Sequence, residues 1–422
     1  MVMRTAITLI TALTTLVGSA SWAAEENAAD VATVPTGDWR IVVDTPIGEL
    51  PFNMELAHEG DAWTAAFING PERMEAEVTS VLGTSLVVEF PSYGHRIVGA
   101  VVKGGDLRGV IQFKRPTGTT VVPFTAAHGQ SHRFFADAAA PSQNLDGRWA
   151  MSRVNLAYSP DATPGMLELT DDGTIVVGAS MVTTGDSRFL TGELRGNDLY
   201  MSTFYGGAGA LWRGTLNEDG TLSGQSYSLS GGFITDWSAK RDATAALADA
   251  TKLTYIKEGY DGLEFSFPDL DGNMVSLSDN RFANKVVVVT IGGSWCPTCH
   301  DESAFFSPYF NENKDRGLEA IGLMYEYSPE FDEAARACRR YVSRYDIQYP
   351  MLIAGVMDKE AAAKTLPMIN AVLVYPTMII IDRNGDVRHI HTGFPGPATG
   401  EHHEEFKSDF YKLMDELLAE DV

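Results

Sequence analysis

The apolar run Val286-Val287-Val288-Val289-Thr290-Ile291, with Trp295-Cys296-Pro297-Thr298-Cys299 close behind it, constrains this chain more than any other segment. A run this rich in β-branched residues predicts a buried strand, and a Cys-x-x-Cys at its end predicts the opening of a helix. A helix start offers free N–H groups and the positive end of the backbone dipole, so a thiolate there is stabilised. The second cysteine follows three residues on, near enough to close a disulfide in one turn. Zinc wants four ligands, and no second Cys/His pair stands at suitable spacing, so the pair reads as redox-active.

Three cysteines in the whole chain are too few for a disulfide-stapled scaffold. The third, Cys338, falls with Phe331, Ala334, Ala335, Tyr341, Val342 and Tyr345 on one helical face, which predicts an inert core thiol. The length of 422 residues calls for two or three domains, and 44% hydrophobic with 21% charged residues is ordinary for a globular protein. A formal charge of −24 argues against nucleic acid or an anionic membrane as partner.

Residues 1–24 read as an export signal: Arg4, the apolar stretch Ala6 to Val17, then small residues through Ser21-Trp22-Ala23. No cysteine follows to carry a lipid anchor, and no later segment is apolar enough to span a bilayer. The expectation is an exported, soluble, periplasmic protein in a compartment where disulfides form.

From 35 to 241 the chain alternates in short segments broken by Gly, Asp and Asn, which predicts all-β structure. An approximate repeat runs through it. Gly37-Asp38-Trp39 recurs as Gly147-Arg148-Trp149, Gly83 to Val88 as Gly196 to Met201, and Gly104 to Gly109 as Asp219 to Gly224. Two tandem β modules follow, 35–127 and 144–241, each a small barrel or sandwich. The Gly-x-Trp opening resembles that of lipocalin-like barrels; the simpler reading is that each Trp plugs the base of a β core. Ala-rich 242–258 predicts a helical linker. Strand–helix alternation then takes over in 259–422, closing with a hairpin about Arg383-Asn384-Gly385-Asp386 and the amphipathic helix Phe406 to Leu418, a thioredoxin-like α/β layout.

This last region resembles thiol-disulfide oxidoreductases of the TlpA/ResA type. The matching pieces are Phe265 to Gly272 with Val275-Ser276-Leu277, Lys285 to Val289, Trp295 to Cys299, Tyr375-Pro376-Thr377 and the turn Asp382 to Gly385. The resemblance implies an enzyme that exchanges its dithiol with disulfides of protein partners, leaning to reduction, recharged by a membrane thiol donor and using no cofactor. Cys296, nearer solvent, is expected to attack and Cys299 to resolve. Thioredoxin has a buried Asp six residues before the first cysteine; here Thr290 stands there and cannot titrate. The family's glutamate three residues past the second cysteine matches Glu302, expected to carry the proton with its pKa raised by burial. Pro376 matches the cis-proline, placing the Tyr375 backbone and Trp295 against substrate.

His300 is expected to be partly solvated, its positive form favouring the Cys296 thiolate, and Asp301 to sit in water. Gly292-Gly293 replaces a bulky pair of the family, predicting a more open wall beside the thiols. Ala304 replaces a helix-kinking proline, with Pro308 left to supply the bend. His389, His391, His402 and His403 are expected to be solvated rather than metal-bound. Two alternatives remain open: a ligand-binding β protein whose dithiol senses redox state, and a c-type haem protein through Cys-x-x-Cys-His, with His300 as axial ligand.

Overall fold

The computed structural model describes residues 33–137, 143–156, 159–183 and 185–420, and elements are counted among these described residues. The segment read as an export signal lies outside them. Strict alternation builds the first half. Nine strands, from β1 (Gly37–Thr45) to β9 (Gly118–His128), form an antiparallel meander in which β1 returns to pair with β9. Along β1, Trp39, Ile41 and Val43 turn inward while Asp38 and Asp44 face water, the period of two that a half-buried strand imposes. Its edges are β4 (Glu72–Glu75) and β5 (Val78–Leu82), which do not pair with each other; near this seam Ala76 N donates to Ala65 O at 2.8 Å.

A second meander runs from β10 (Gly147–Asn155) to β18 (Phe233–Arg241) and does close. Strand β11 (Ser159–Asp171) pairs with both β10 and β12 (Val176–Val182), and β10 pairs with β18. The two openings share one construction. Trp39 Nε1 donates to Pro35 O and Trp149 Nε1 to Leu145 O, each at 3.1 Å, with both indoles buried. Gly37 and Gly147 precede them at φ +108° and +114°, where a side chain would be strained.

The modules interlock. Phe204 of the second stacks on Phe52 of the first at 4.2 Å, and Asn69 grips the Phe204 backbone, donating to its carbonyl at 2.9 Å and accepting its N–H at 3.1 Å.

Residues 242–258 contain no helix, contrary to the expectation from their alanines. Asp242 and Asp249 each accept from the backbone N–H and hydroxyl of a threonine two residues on, and these Asp-Ala-Thr turns outcompete helical pairing.

In the last part, β21 (Val286–Gly292) is buried along its whole length because it lies mid-sheet. It pairs in parallel with β22 (Leu318–Glu326), which pairs in parallel with β23 (Met351–Val356). On its other side it pairs antiparallel with β24 (Thr377–Ile381), followed by β25 (Val387–Thr392). Alternate residues feed two cores. Val287, Val289 and Ile291 join the cysteines, Tyr325 and Tyr375, while Val286 and Val288 meet helices α1 (Pro297–Asn313), α2 (Phe331–Tyr345) and α4 (Glu401–Ala419). Between them α3 (Lys359–Thr365) follows β23. A β hairpin, β19 (Ser266–Pro268) with β20 (Met274–Ser276), leads into this sheet. The chain thus combines an all-β half with a thioredoxin-like α/β domain.

Candidate active site

Strand β21 ends at Gly292 and the chain turns at once into α1, so the two cysteines stand at the tip of a central strand and the mouth of a helix. Cys296 is the N-cap: its Sγ accepts the Cys299 N–H at 3.3 Å. The same sulfur donates to the Tyr375 carbonyl at 3.4 Å, and the Tyr375–Pro376 bond is cis. Both cysteines are thiols here, and both are buried, at 4% and 3% exposure. Cys296, expected nearer solvent, is barely the more exposed of the two: Trp295 crosses Tyr375 edge-on at 5.6 Å and stacks on Tyr327 at 5.3 Å, walling the thiols. The open wall expected at Gly292-Gly293 is absent too. A side chain on Gly293 would strike the Trp295 indole and the Tyr325 carbonyl, and one on Gly292 would press on the Cys299 sulfur. Small residues are there because the indole and the sulfur fill the space.

Burial pushes the Cys299 thiol well up, reinforced by its hydrogen bond and proximity to Cys296 and by the charge of Glu302. Glu302, one turn along α1, is 3% exposed with Oε1 unpartnered, and burial alone pushes its carboxyl up to about 8. Tyr341 donates to the Cys299 carbonyl at 2.6 Å. Lys359, at the start of α3, lies close enough for its charge to interact with Cys296, and its ammonium donates to the Leu373 carbonyl at 2.5 Å.

His300 is neither solvated nor positive. Its ring stacks under Tyr93 of the first β module at 3.8 Å, its Nε2–H donates to the Ser294 carbonyl at 2.7 Å, and Nδ1 accepts from Tyr345 at 2.8 Å. Burial lowers its pKa to about 3, so the imidazole is neutral. These bonds occupy both ring nitrogens, and the residues do not fit a haem: an iron would have to take a nitrogen already bonded in the interior. Asp301 is corrected as well. It pairs at 2.6 Å with Arg188 of the second β module, which also pairs at 2.6 Å with Glu72 of the first. Burial pushes the Asp301 carboxyl up to about 7 against the pull of Arg188, with Asp186 and Glu72 adding like charge.

Pro308 lies inside α1, and Cys338 is fully buried. His389, His391 and His402 line a cavity of about 640 Å³ between β12, residues 246–251, β25 and α4, away from the thiols. They are partly buried rather than freely solvated, as is His403, whose ring bonds the Pro395 carbonyl at 2.8 Å. Sequence reasoning missed Tyr93, Arg188, Lys359, Ser294 and Glu326. The first two reach the motif from β loops with no redox signature, and the last two carry no spacing that marks them.

Residues 257–404 match the Redoxin family. A thiol-disulfide oxidoreductase ResA of Bacillus thuringiensis is 30% identical over 138 residues, 32% of this chain and 70% of that protein. A thioredoxin-like protein YneN of Bacillus subtilis is 29% identical over 141 residues, 33% of this chain and 73% of that one. A solved putative protein disulfide isomerase from Bacteroides thetaiotaomicron is 22% identical, covering 41% of this chain and 95% of its own, with a TM-score of 0.31. Through its C-terminal region, this chain belongs to the Redoxin family and is a thiol-disulfide oxidoreductase of the ResA type.

Proposed function

We propose that this protein is exported and reduces disulfides in protein partners, drawing electrons from a membrane thiol donor. The observation that carries the redox chemistry is Cys296 at a helix N-cap, its sulfur between the Cys299 N–H and the Tyr375 carbonyl. The apolar stretch near the start supports export, and among the described residues no helix is long and apolar enough to cross a membrane.

In this reading the Cys296 thiolate attacks one sulfur of the partner disulfide, and the partner's other sulfur leaves as a thiolate. Cys299 gives its proton to Glu302 in the fraction of molecules whose carboxyl, with its pKa near 8, is ionised, attacks the Cys296 sulfur and expels the second partner thiolate. The partner gains two electrons, and the Cys296–Cys299 disulfide stores the oxidised state. Trp295 and the Tyr375–Pro376 backbone would hold an extended substrate segment once the aromatic wall is displaced. The three-part division at about 35–127, 144–241 and 259–422 goes with this reading: a catalytic domain carried behind two β modules.

Insulin reduction by the mature protein with a dithiol donor tests it. Cys296→Ser should lose at least about a thousandfold in turnover, since no other thiol is placed to form the first mixed disulfide. Equal turnover by the variant, or a dithiol couple at the strongly oxidising end of the known range, would refute a reductase.

A second reading keeps the dithiol as a sensor and gives the binding role to the β half. The cavity beside the second barrel favours it. Ligand capture that persists in Cys296→Ser, with no wild-type turnover, would establish that reading instead.

A further inference from the structure

Glu326, the last residue of β22, is 2% exposed at the base of the loop that carries Cys296. Three donors converge on its carboxylate. The Ser294 N–H reaches Oε1 at 2.7 Å, the Ser294 hydroxyl reaches Oε2 at 2.7 Å, and the Cys338 thiol reaches Oε1 at 3.4 Å. Ser294 is itself an anchor, since its carbonyl accepts the Nε2–H of His300. The neighbouring Trp295 donates its indole N–H to the Tyr325 carbonyl at 2.7 Å. Both residues preceding Cys296 are thus fastened to the end of one strand, beyond Gly292 where β21 has stopped.

A buried carboxylate is a costly way to hold a loop. Here three donors fall on two oxygens, and a neutral amide, with a single acceptor oxygen, could not receive them all, which sets the carboxylate's fit against its desolvation penalty. Burial pushes the Glu326 carboxyl up, and the Ser294 and Cys338 donors oppose that shift, as expected where donors favour the ionised form.

We propose that Glu326 is a positioning residue of the dithiol–disulfide exchange: through Ser294 it fixes Cys296 against the Cys299 N–H and the Tyr375 carbonyl. This rests on the oxidoreductase reading above.

The test mixes the reduced full-length protein with oxidised glutathione at pH 7 and follows loss of the dithiol by alkylation and mass. In Glu326→Gln the exchange should slow on the order of tenfold with unchanged circular dichroism. Glu326→Asp keeps both acceptor oxygens but shortens the reach, so its rate should fall between wild type and Glu326→Gln. Should Glu326→Gln not fold, Ser294→Ala removes one bond of the strap and leaves the carboxylate; its exchange should slow severalfold with unchanged circular dichroism. A wild-type exchange rate in Glu326→Gln, or in Ser294→Ala where the former does not fold, would overturn the proposal, even if melting temperatures fell. A wild-type protein that exchanges with neither glutathione nor insulin would sink the oxidoreductase reading instead.

Discussion

The two β modules open on the same Gly-x-Trp device yet grip the redox helix differently. The second sends in Arg188, which binds Asp301 by charge; the first sends in Tyr93, which covers His300 with an aromatic face. The second is a closed barrel and the first stays open between β4 and β5, so a likeness in strand plan did not dictate either the closure or the contact. Two consecutive residues of α1 are thereby tied to different modules. The next, Glu302, keeps a dry carboxyl oxygen with no hydrogen-bond partner among the described residues. Two modules of similar plan can each meet a different neighbour.

The charged grip should be the costlier to break. Arg188→Ala strands the Glu72 and Asp301 carboxylates, whose side chains are only 12% and 10% exposed, and should lose roughly 3 kcal/mol in urea denaturation. Asp301→Asn leaves Arg188 its Glu72 partner and should cost less. A loss below about 0.5 kcal/mol for Arg188→Ala would mean that the second module is not held by this pair.

Glu302 sharpens the contrast through pH. The folded chain keeps its proton up to about pH 8, whereas the unfolded chain releases it near 4.5. Between these values the native state binds more protons, so stability falls as pH rises, by up to about 1.4 kcal/mol per pH unit. The contribution is fully present below pH 4.5 and gone above about 8. Asp301 slopes the same way, so the quantity to measure is wild type minus Glu302→Gln across pH 5–8. Parallel curves would show that Glu302 is not held protonated by burial.

The aromatic grip should be the weakest. Tyr93→Ala removes one stacked face, worth about 1 kcal/mol, and admits water to His300. Its imidazole should then titrate upward from about 3 toward 6.5 in an NMR titration. A histidine that stays silent down to pH 4 would show that Ser294 and Tyr345 hold it without the first module.

Much of the architecture was legible because it is local. Alternation marked the β half, the valine run marked β21, and five ordered motifs marked the thioredoxin-like domain. The supposed helix at 242–258 failed because two Asp-Ala-Thr turns bond their own backbone more readily than alanine propensity can overcome. Strand β23 and helix α3 went unread because each is short and neither carries a motif.

By itself, the order of residues determined which atoms meet within a turn or two: Cys296 capping its helix, Glu302 one turn beyond Cys299, a proline beside Tyr375. Only the tertiary structure decided how dry those atoms are and which charges face them. Desolvation and pairing depend on segments such as Tyr93 and Arg188, more than a hundred residues away in the chain, and no local pattern encodes their arrival. That is why the thiols could be named from the chain, while the burial of Cys296, the neutrality of His300 and the partner of Asp301 could not.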